Sequence, residues 1–239
     1  MTSHAWFLLT TYLLVLLLAA YPLGNYIAQV IEGCSIFPLR FGGAVESVLY
    51  RLCGIRNVEE MGWLQYTISI LVFNVLGVLV VYSLQRLQFW LPLNPQSITN
   101  VSPDSSFNTA ISFVTNTNWQ GYSGESAMGY LTQMLGLAVQ NFFSAATGIV
   151  VDIALIRGFA RHTVKTIGNA WVDLTRIILY VLLPISLVYT VFLVSQGVIQ
   201  NFSAYKDVTT LEVTTYDNPS CHLSGDEDRI RNMIFQAAN

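Results

Sequence analysis

The chain has 239 residues, 53% of them hydrophobic and only 10% charged, with a mean hydropathy of +0.51. Soluble domains carry about 25% charged residues, so this composition excludes an ordinary soluble domain and indicates a membrane protein. A net charge of −3 with 11 Lys and Arg leaves no basic patch for nucleic acid, and Cys34, Cys53 and Cys221, without CxxC spacing, frame neither a disulfide scaffold nor a zinc site.

Four uncharged stretches exceed the roughly 20 residues that a membrane helix requires. Residues 1–31 contain no Asp, Glu, Lys or Arg, and Trp6 to Ala20 is almost wholly apolar. No Lys or Arg lies in residues 1–5 and Pro22 intrudes at the expected cleavage point, so this stretch reads as a retained anchor rather than a cleaved signal peptide. The second stretch runs from Met61 to Gln85, the third from Ser126 to Val151 and the fourth from Ile177 to Tyr205. Two further uncharged gaps, Leu87 to Pro103 and Ser105 to Gly124, are rich in Pro, Asn, Ser, Thr and Gly and read as non-spanning.

Basic residues set the expected orientation. Arg40, Arg51 and Arg56 follow the first span, and Arg157, Arg161, Lys165 and Arg176 precede the fourth, whereas the connection between spans two and three holds only Arg86. The first and third connections are therefore expected on the cytoplasmic side and the N-terminus outside. Phe89-Trp90-Leu91-Pro92-Leu93-Asn94-Pro95-Gln96 suits an external loop along the membrane interface. The glycosylation triplets at Asn100 and Asn201 occur too easily by chance to be assigned a role.

Ser102-Pro103-Asp104 has the grammar of a helix start: a capping Ser, Pro at the first helical position and an acid in the first turn. A helix from Pro103 to Thr115 spans roughly 20 Å, short of a hydrocarbon core of roughly 30 Å. It leads into Thr115-Asn116-Thr117-Asn118-Trp119-Gln120-Gly121-Tyr122-Ser123-Gly124, a polar run in an otherwise apolar protein. A short helix ending in a polar loop between two spans is how a pore loop is built: the helix points its negative end at a cation and the loop offers oxygens.

In the third span Gly136, Gln140, Ser144 and Gly148 recur every four residues, with Gln133 near the same face. Either helix packing or contact with water and ions turns that face inward. Asp152, five residues from Arg157, reads as an interfacial charge reachable by water, although a carboxylate in a span is also a functional candidate. No phosphate-binding loop and no Asp-Lys-Thr-Gly run is present, and His4, His162 and His222 read as surface residues.

Asn108-Thr109-Ala110, Ser112 to Gln120 and Tyr122-Ser123-Gly124-Glu125 closely resemble the potassium-binding subunit family of the bacterial Kdp potassium-transporting ATPase. Further words in the same order include Pro22-Leu23-Gly24, Leu91-Pro92-Leu93-Asn94-Pro95-Gln96, Val139-Gln140-Asn141-Phe142, Ala154-Leu155-Ile156-Arg157 and Gly168-Asn169-Ala170-Trp171-Val172-Asp173-Leu174. The resemblance covers roughly Trp6 to Phe202. It implies an all-α membrane protein with four transmembrane helices plus one re-entrant pore helix and filter loop, the first of the family's membrane-pore-membrane repeats. The implied division is an N-terminal extra helix (1–31), a cytoplasmic loop (32–62), the first pore repeat (63–157), a second cytoplasmic loop (158–176), a fourth helix (177–200) and an extracytoplasmic tail (201–239).

The same resemblance implies that Thr115, Asn116, Thr117, Asn118 and Gln120 form the first segment of a potassium filter. The side chains of Asn118 and Gln120 are expected to brace the loop rather than coordinate the ion. K+ is then the transported ion and no nucleotide binds this chain. A P-type ATPase catalytic subunit and small accessory subunits in the bacterial inner membrane are the implied partners. From Ser203 the tail is expected to depart from the family, and the second filter of full-length members is missing, so the chain is expected to be a truncated piece holding a quarter of a filter. The competing expectation is an inactive remnant or assembly partner without transport activity of its own.

Overall fold

The computed structural model describes residues 3–33, 37–56, 59–160, 166–198 and 201–204. Arg161, His162, Lys165, Cys34, Cys221, His222 and the tail from Tyr205 lie outside the described residues, as does the side chain of Arg40. The elements in order are α1 (Ser3–Glu32), α2 (Phe37–Cys53), β1 (Met61–Gly62), α3 (Trp63–Leu87), α4 (Pro103–Val114), α5 (Gly124–Ala127), α6 (Val139–Ala160), β2 (Thr166–Gly168), α7 (Ala170–Arg176) and α8 (Leu183–Ser195). π-Helical turns at Thr132–Ala138 and Ile177–Leu182 lead into α6 and join α7 to α8.

Among the described residues, four helical runs are long and apolar enough to cross a membrane: His4–Glu32, Trp63–Trp90, Thr132–Ala160 and Ala170–Ser195, with hydropathies of 1.9, 2.2, 1.6 and 2.6. The chain is an all-α membrane protein. Beside the helices, β1 and β2 form a two-stranded antiparallel pair with Met61 opposite Gly168 and Gly62 opposite Thr166.

Two stretches read as connections carry helical structure. The stretch 32–62, read as a loop, contains the 17-residue α2. The connection read as 158–176 is shorter, because α6 continues to Ala160 and the fourth helical run starts at Ala170. In both places part of the charge that suggested a loop is paired within the fold, Glu46 with Arg176 and Asp173 with Arg157.

The chain divides into two compact units, residues 1–73 with 145–198 and residues 74–144 with 199–239. In the first, Val30, Tyr66, Ile70, Ala146, Val150, Leu174, Ile177 and Tyr180 form the core. The N-terminal half of α1 turns Trp6, Phe7, Leu17 and Leu18 outward, as a lipid-facing helix does. Asp173 is 2% exposed and takes a bidentate pair from Arg157, with Nη1 to Oδ2 at 2.5 Å and Nη2 to Oδ1 at 3.1 Å. The Tyr66 hydroxyl donates to the same carboxylate at 2.9 Å. Gly168 makes room for this pair: at φ +115° it has no Cβ, and one there would meet the Arg157 guanidinium at 2.2 Å. Asn169 caps α7 by accepting from the Trp171 and Val172 amides, while its own amide donates to the carbonyls of Arg56 and Glu59.

A second buried carboxylate, Glu46 of α2, accepts from Arg176 Nε at 3.2 Å, the Tyr50 hydroxyl at 2.7 Å and the Tyr180 hydroxyl at 2.8 Å. Leaving either buried carboxylate without its cation would cost about 3–5 kcal/mol, which is why each is enclosed by several donors. Burial pushes the Glu46 carboxyl up, but the hydrogen bonds from Tyr50, Tyr180 and Arg176 outweigh it and hold the group below its ordinary value of 4.5. A carboxyl depressed in the fold adds stability that is complete above the unfolded value and is lost as pH falls through the folded one. Thermal unfolding of the detergent-solubilised protein should therefore show an acid limb below about pH 4.5 that is shallower in Glu46→Gln, together with a lower melting temperature at pH 7. Equal acid limbs in the two proteins would remove Glu46 from this account.

Candidate cation-binding loop

The second unit holds α4 and the loop after it. Ser102 caps α4 by accepting from the Ser105 amide at 3.4 Å, Pro103 occupies the first turn and Asp104 is the acid there, as the sequence indicates. The helix has 12 residues, hence a length of about 18 Å. It is fixed by Ala110, Phe113 and Val114, which are buried, with Ala110 and Phe113 packed among Val81, Val101, Met128 and Leu137. Below it, the buried Gln88 donates to the carbonyls of Thr99 and Ala127 at 2.5 and 2.8 Å and accepts from the Gly129 amide at 3.3 Å. Gln85 donates to the Ser106 carbonyl at 3.3 Å. These two glutamines, one in the last turn of α3 and one just after it, bind the segments on either side of the loop.

The end of α4 sets the direction of the loop's oxygens. The Thr115 amide donates to the Ile111 carbonyl at 2.9 Å and the Asn116 amide to Phe113 at 3.4 Å. The Thr117 and Asn118 amides both donate to the Ser112 carbonyl, at 2.9 and 3.2 Å. In a planar trans peptide the carbonyl points opposite to the N–H of the next residue, and no peptide among the described residues is cis. The carbonyls of Thr115, Asn116 and Thr117 consequently all point away from the helix end. They accept no hydrogen bond from the described residues. At Trp119 the direction reverses, since its carbonyl accepts from the Ser112 hydroxyl at 2.9 Å.

Such a turn requires unusual backbone. Asn116 and Asn118 have φ of 57° and 56°, the left-handed region in which Asn is among the few tolerated side chains. Side chains then hold the shape. The Thr115 and Thr117 hydroxyls bond each other at 2.8 Å, and Asn116 Oδ1 accepts from Ser144 of α6 at 3.3 Å. Of the residues read from sequence, Thr117 and Asn118 through their amides and Thr115 through its hydroxyl converge on the Ser112 carbonyl, while the Asn116 amide turns to Phe113; Gln120 makes no hydrogen bond among the described residues, and all five are exposed. Burial pushes the Tyr122 phenol just beyond the loop up to about 12, so no phenolate forms beside it.

The face of α6 and its preceding turn is partly as read. Gly136, Gln140 and Ser144 are buried, whereas Gly148 is exposed. The side-chain amide of Gln140 lies where a Cβ on Gly77 would stand, 2.8 Å from its Oε1, so this close approach of α3 needs glycine. Asp152 is exposed. Ser144 belongs to the stripe that the sequence turns inward, but its bond to Asn116 and the part played by Ser112 carry no sequence signal of their own. Among the described residues no group of three His, Cys, Asp or Glu could hold a metal ion; the oxygens this loop presents are carbonyl, hydroxyl and side-chain amide.

A model of the family described as potassium-transporting ATPase A subunit matches residues 10–224. The potassium-transporting ATPase potassium-binding subunit of Dechloromonas aromatica (strain RCB) is 71% identical over 225 residues, covering 94% of this chain and 37% of that protein. The proteins of the same description from Ralstonia pickettii (strain 12J) and Polynucleobacter asymbioticus are 63% and 61% identical, over 91% and 94% of this chain and 37% and 38% of theirs. The chain thus spans somewhat over a third of the length of these curated relatives. The match also corrects the tail: residues 203–224, expected to depart from the family, lie within it. Their polar composition carries no apolar period by which kinship shows.

The loop geometry makes a conformational prediction. Asn118→Gly should leave the melting temperature of the purified protein nearly unchanged, because glycine adopts the left-handed region freely. Asn118→Val should destabilise the turn by about 1–2 kcal/mol and speed hydrogen exchange of the Thr117 and Asn118 amides. Equal exchange in the two variants would contradict the strained turn.

Proposed function

The chain belongs to the potassium-transporting ATPase A subunit family, KdpA, and from that premise we propose that its Thr115–Gln120 loop is one side of a potassium filter in an ATP-driven uptake complex. The observation that carries this reading is the set of three successive carbonyls, from Thr115 to Thr117, turned away from the end of α4. Potassium must exchange its water shell for oxygens of suitable number and field strength, and an ion stripped without replacement is prohibitively costly. Three aligned carbonyls supply part of that shell, and the remainder comes from outside this loop. The C-terminal end of α4, equivalent to roughly half a negative charge, adds attraction for a cation and none for an anion.

Within this reading α4 is re-entrant: a helix of 12 residues is too short to span, and its end sits at the loop rather than at the opposite surface. The Asn116 and Thr side chains brace the turn and the backbone coordinates. The ion enters from the outer side, and the N-terminus is extracytoplasmic, as the distribution of basic residues favours. ATP hydrolysis belongs to a P-type partner subunit, with small accessory subunits completing an inner-membrane complex; this chain binds K+ and no nucleotide.

Two outcomes test the reading. In the complete subunit carrying this sequence, Thr117→Ala should remove the hydroxyl brace and weaken discrimination of potassium over sodium and rubidium several-fold in uptake assays. Unchanged selectivity and affinity would take the loop out of the filter. For direction, a cysteine at Thr99 in a background without Cys34, Cys53 and Cys221 should react with an impermeant thiol reagent from outside the cell. One at Thr166 should react only after permeabilisation, and the opposite pattern would reverse the orientation.

A further inference from the structure

Helix α2 presents two faces of different chemistry. Its inner face carries Glu46 and Gly42, held against the fourth membrane run, and Tyr50, which donates to Glu46. The Gly42 backbone runs so close to Tyr180 that a Cβ there would lie 2.3 Å from its ring. Its outer face carries Val45, Val48 and Leu52, spaced three and four residues apart and 51%, 56% and 78% exposed. Arg51 flanks this stripe, and the acid of the helix, Glu46, is turned inward, so the outer face is apolar with a net positive edge.

The depth of this face follows from what the inner face touches. Arg176 and Tyr180 lie 6 and 10 residues into the 26-residue run Ala170–Ser195, hence about 9 and 15 Å along a helix about 39 Å long. Centred on a core of roughly 30 Å, that helix projects about 4–5 Å at each end, which places its contacts with α2 about 4–10 Å below the hydrocarbon edge. The four residues between Glu32 and Phe37 also hold the start of α2 within about 17 Å of the end of α1. An apolar stripe at this depth meets acyl chains, and a guanidinium at its edge reaches the phosphate layer by extending its stem outward.

We propose that α2 is an interfacial helix whose Val45–Val48–Leu52 face is seated in lipid, with Arg51 on the phosphate of an anionic headgroup. The occupant of this face is the bilayer, and the proposal stands apart from the reading of the potassium loop. The docking of α2 through Glu46 is the means by which the helix is held at a fixed depth.

Nitroxide labels at Val48→Cys and Leu52→Cys, in the full-length polypeptide carrying this sequence with its native cysteines replaced, test it. The protein is reconstituted in phosphatidylcholine vesicles and in vesicles of phosphatidylcholine and phosphatidylglycerol in equal parts. The expected result is a ratio of oxygen to water-soluble nickel-chelate accessibility several-fold above that of free label in water. Anionic lipid should raise it further, and that increment should vanish in Arg51→Gln. Access of the nickel chelate to position 48 would overturn the proposal, since the face would be in water. Exclusion of both reagents would overturn it too, since protein would then cover the stripe. An increment that survives Arg51→Gln would overturn the headgroup contact.

Discussion

The Ser112 carbonyl accepts two backbone amides, those of Thr117 and Asn118, and the loop after α4 depends on that bond pair. In a membrane every backbone polar group must find a partner within the protein, so an irregular turn survives only where its N–H groups are satisfied. Here the amides are spent on the end of the helix, and planarity of the peptide leaves the carbonyls of Thr115, Asn116 and Thr117 directed outward. A turn satisfied through its donors and open through its acceptors is suited to a cation. The left-handed Asn116 and Asn118, the paired hydroxyls of Thr115 and Thr117, and the contact from Ser144 all serve to keep that arrangement.

The first unit answers the same constraint with charges. Two carboxylates, Glu46 and Asp173, are buried among apolar residues, and each carries an arginine and at least one tyrosine hydroxyl. Pairs of this kind add little net stability over well-packed apolar residues, but they fix geometry, because a partner removed leaves an uncompensated charge. The bidentate Arg157–Asp173 pair sets α7 against the end of α6, with Gly168 shaped to admit it. Glu46 sets α2 against α7 and the π-helical turn that follows.

What was legible in the sequence was local. The cap at Ser102, the proline at the start of α4 and the length of the apolar runs are read from neighbours within a few residues. The position of the polar loop after α4 was equally legible, since a run of Thr and Asn stands out in an apolar protein. What escaped depends on distant partners. Glu46 and Arg176 are 130 positions apart, and without that pairing α2 looked like a charged connection. Asp173 and Arg176 made the start of the fourth run look like loop for the same reason. The bonds that Ser112 and Ser144 make to the loop were hidden because a serine's partner is set by the fold around it, which no residue pattern states.

The central claim is that a potassium ion rests on the carbonyls of Thr115 to Thr117. Its most direct measurement is anomalous diffraction from crystals of the full-length subunit soaked in thallium(I), a heavy stand-in for potassium. The account predicts an anomalous peak within coordination distance of the Asn116 and Thr117 carbonyl oxygens, diminished by competing potassium. Thallium bound elsewhere, against Asp152 for example, with these carbonyls facing no ion, would contradict it.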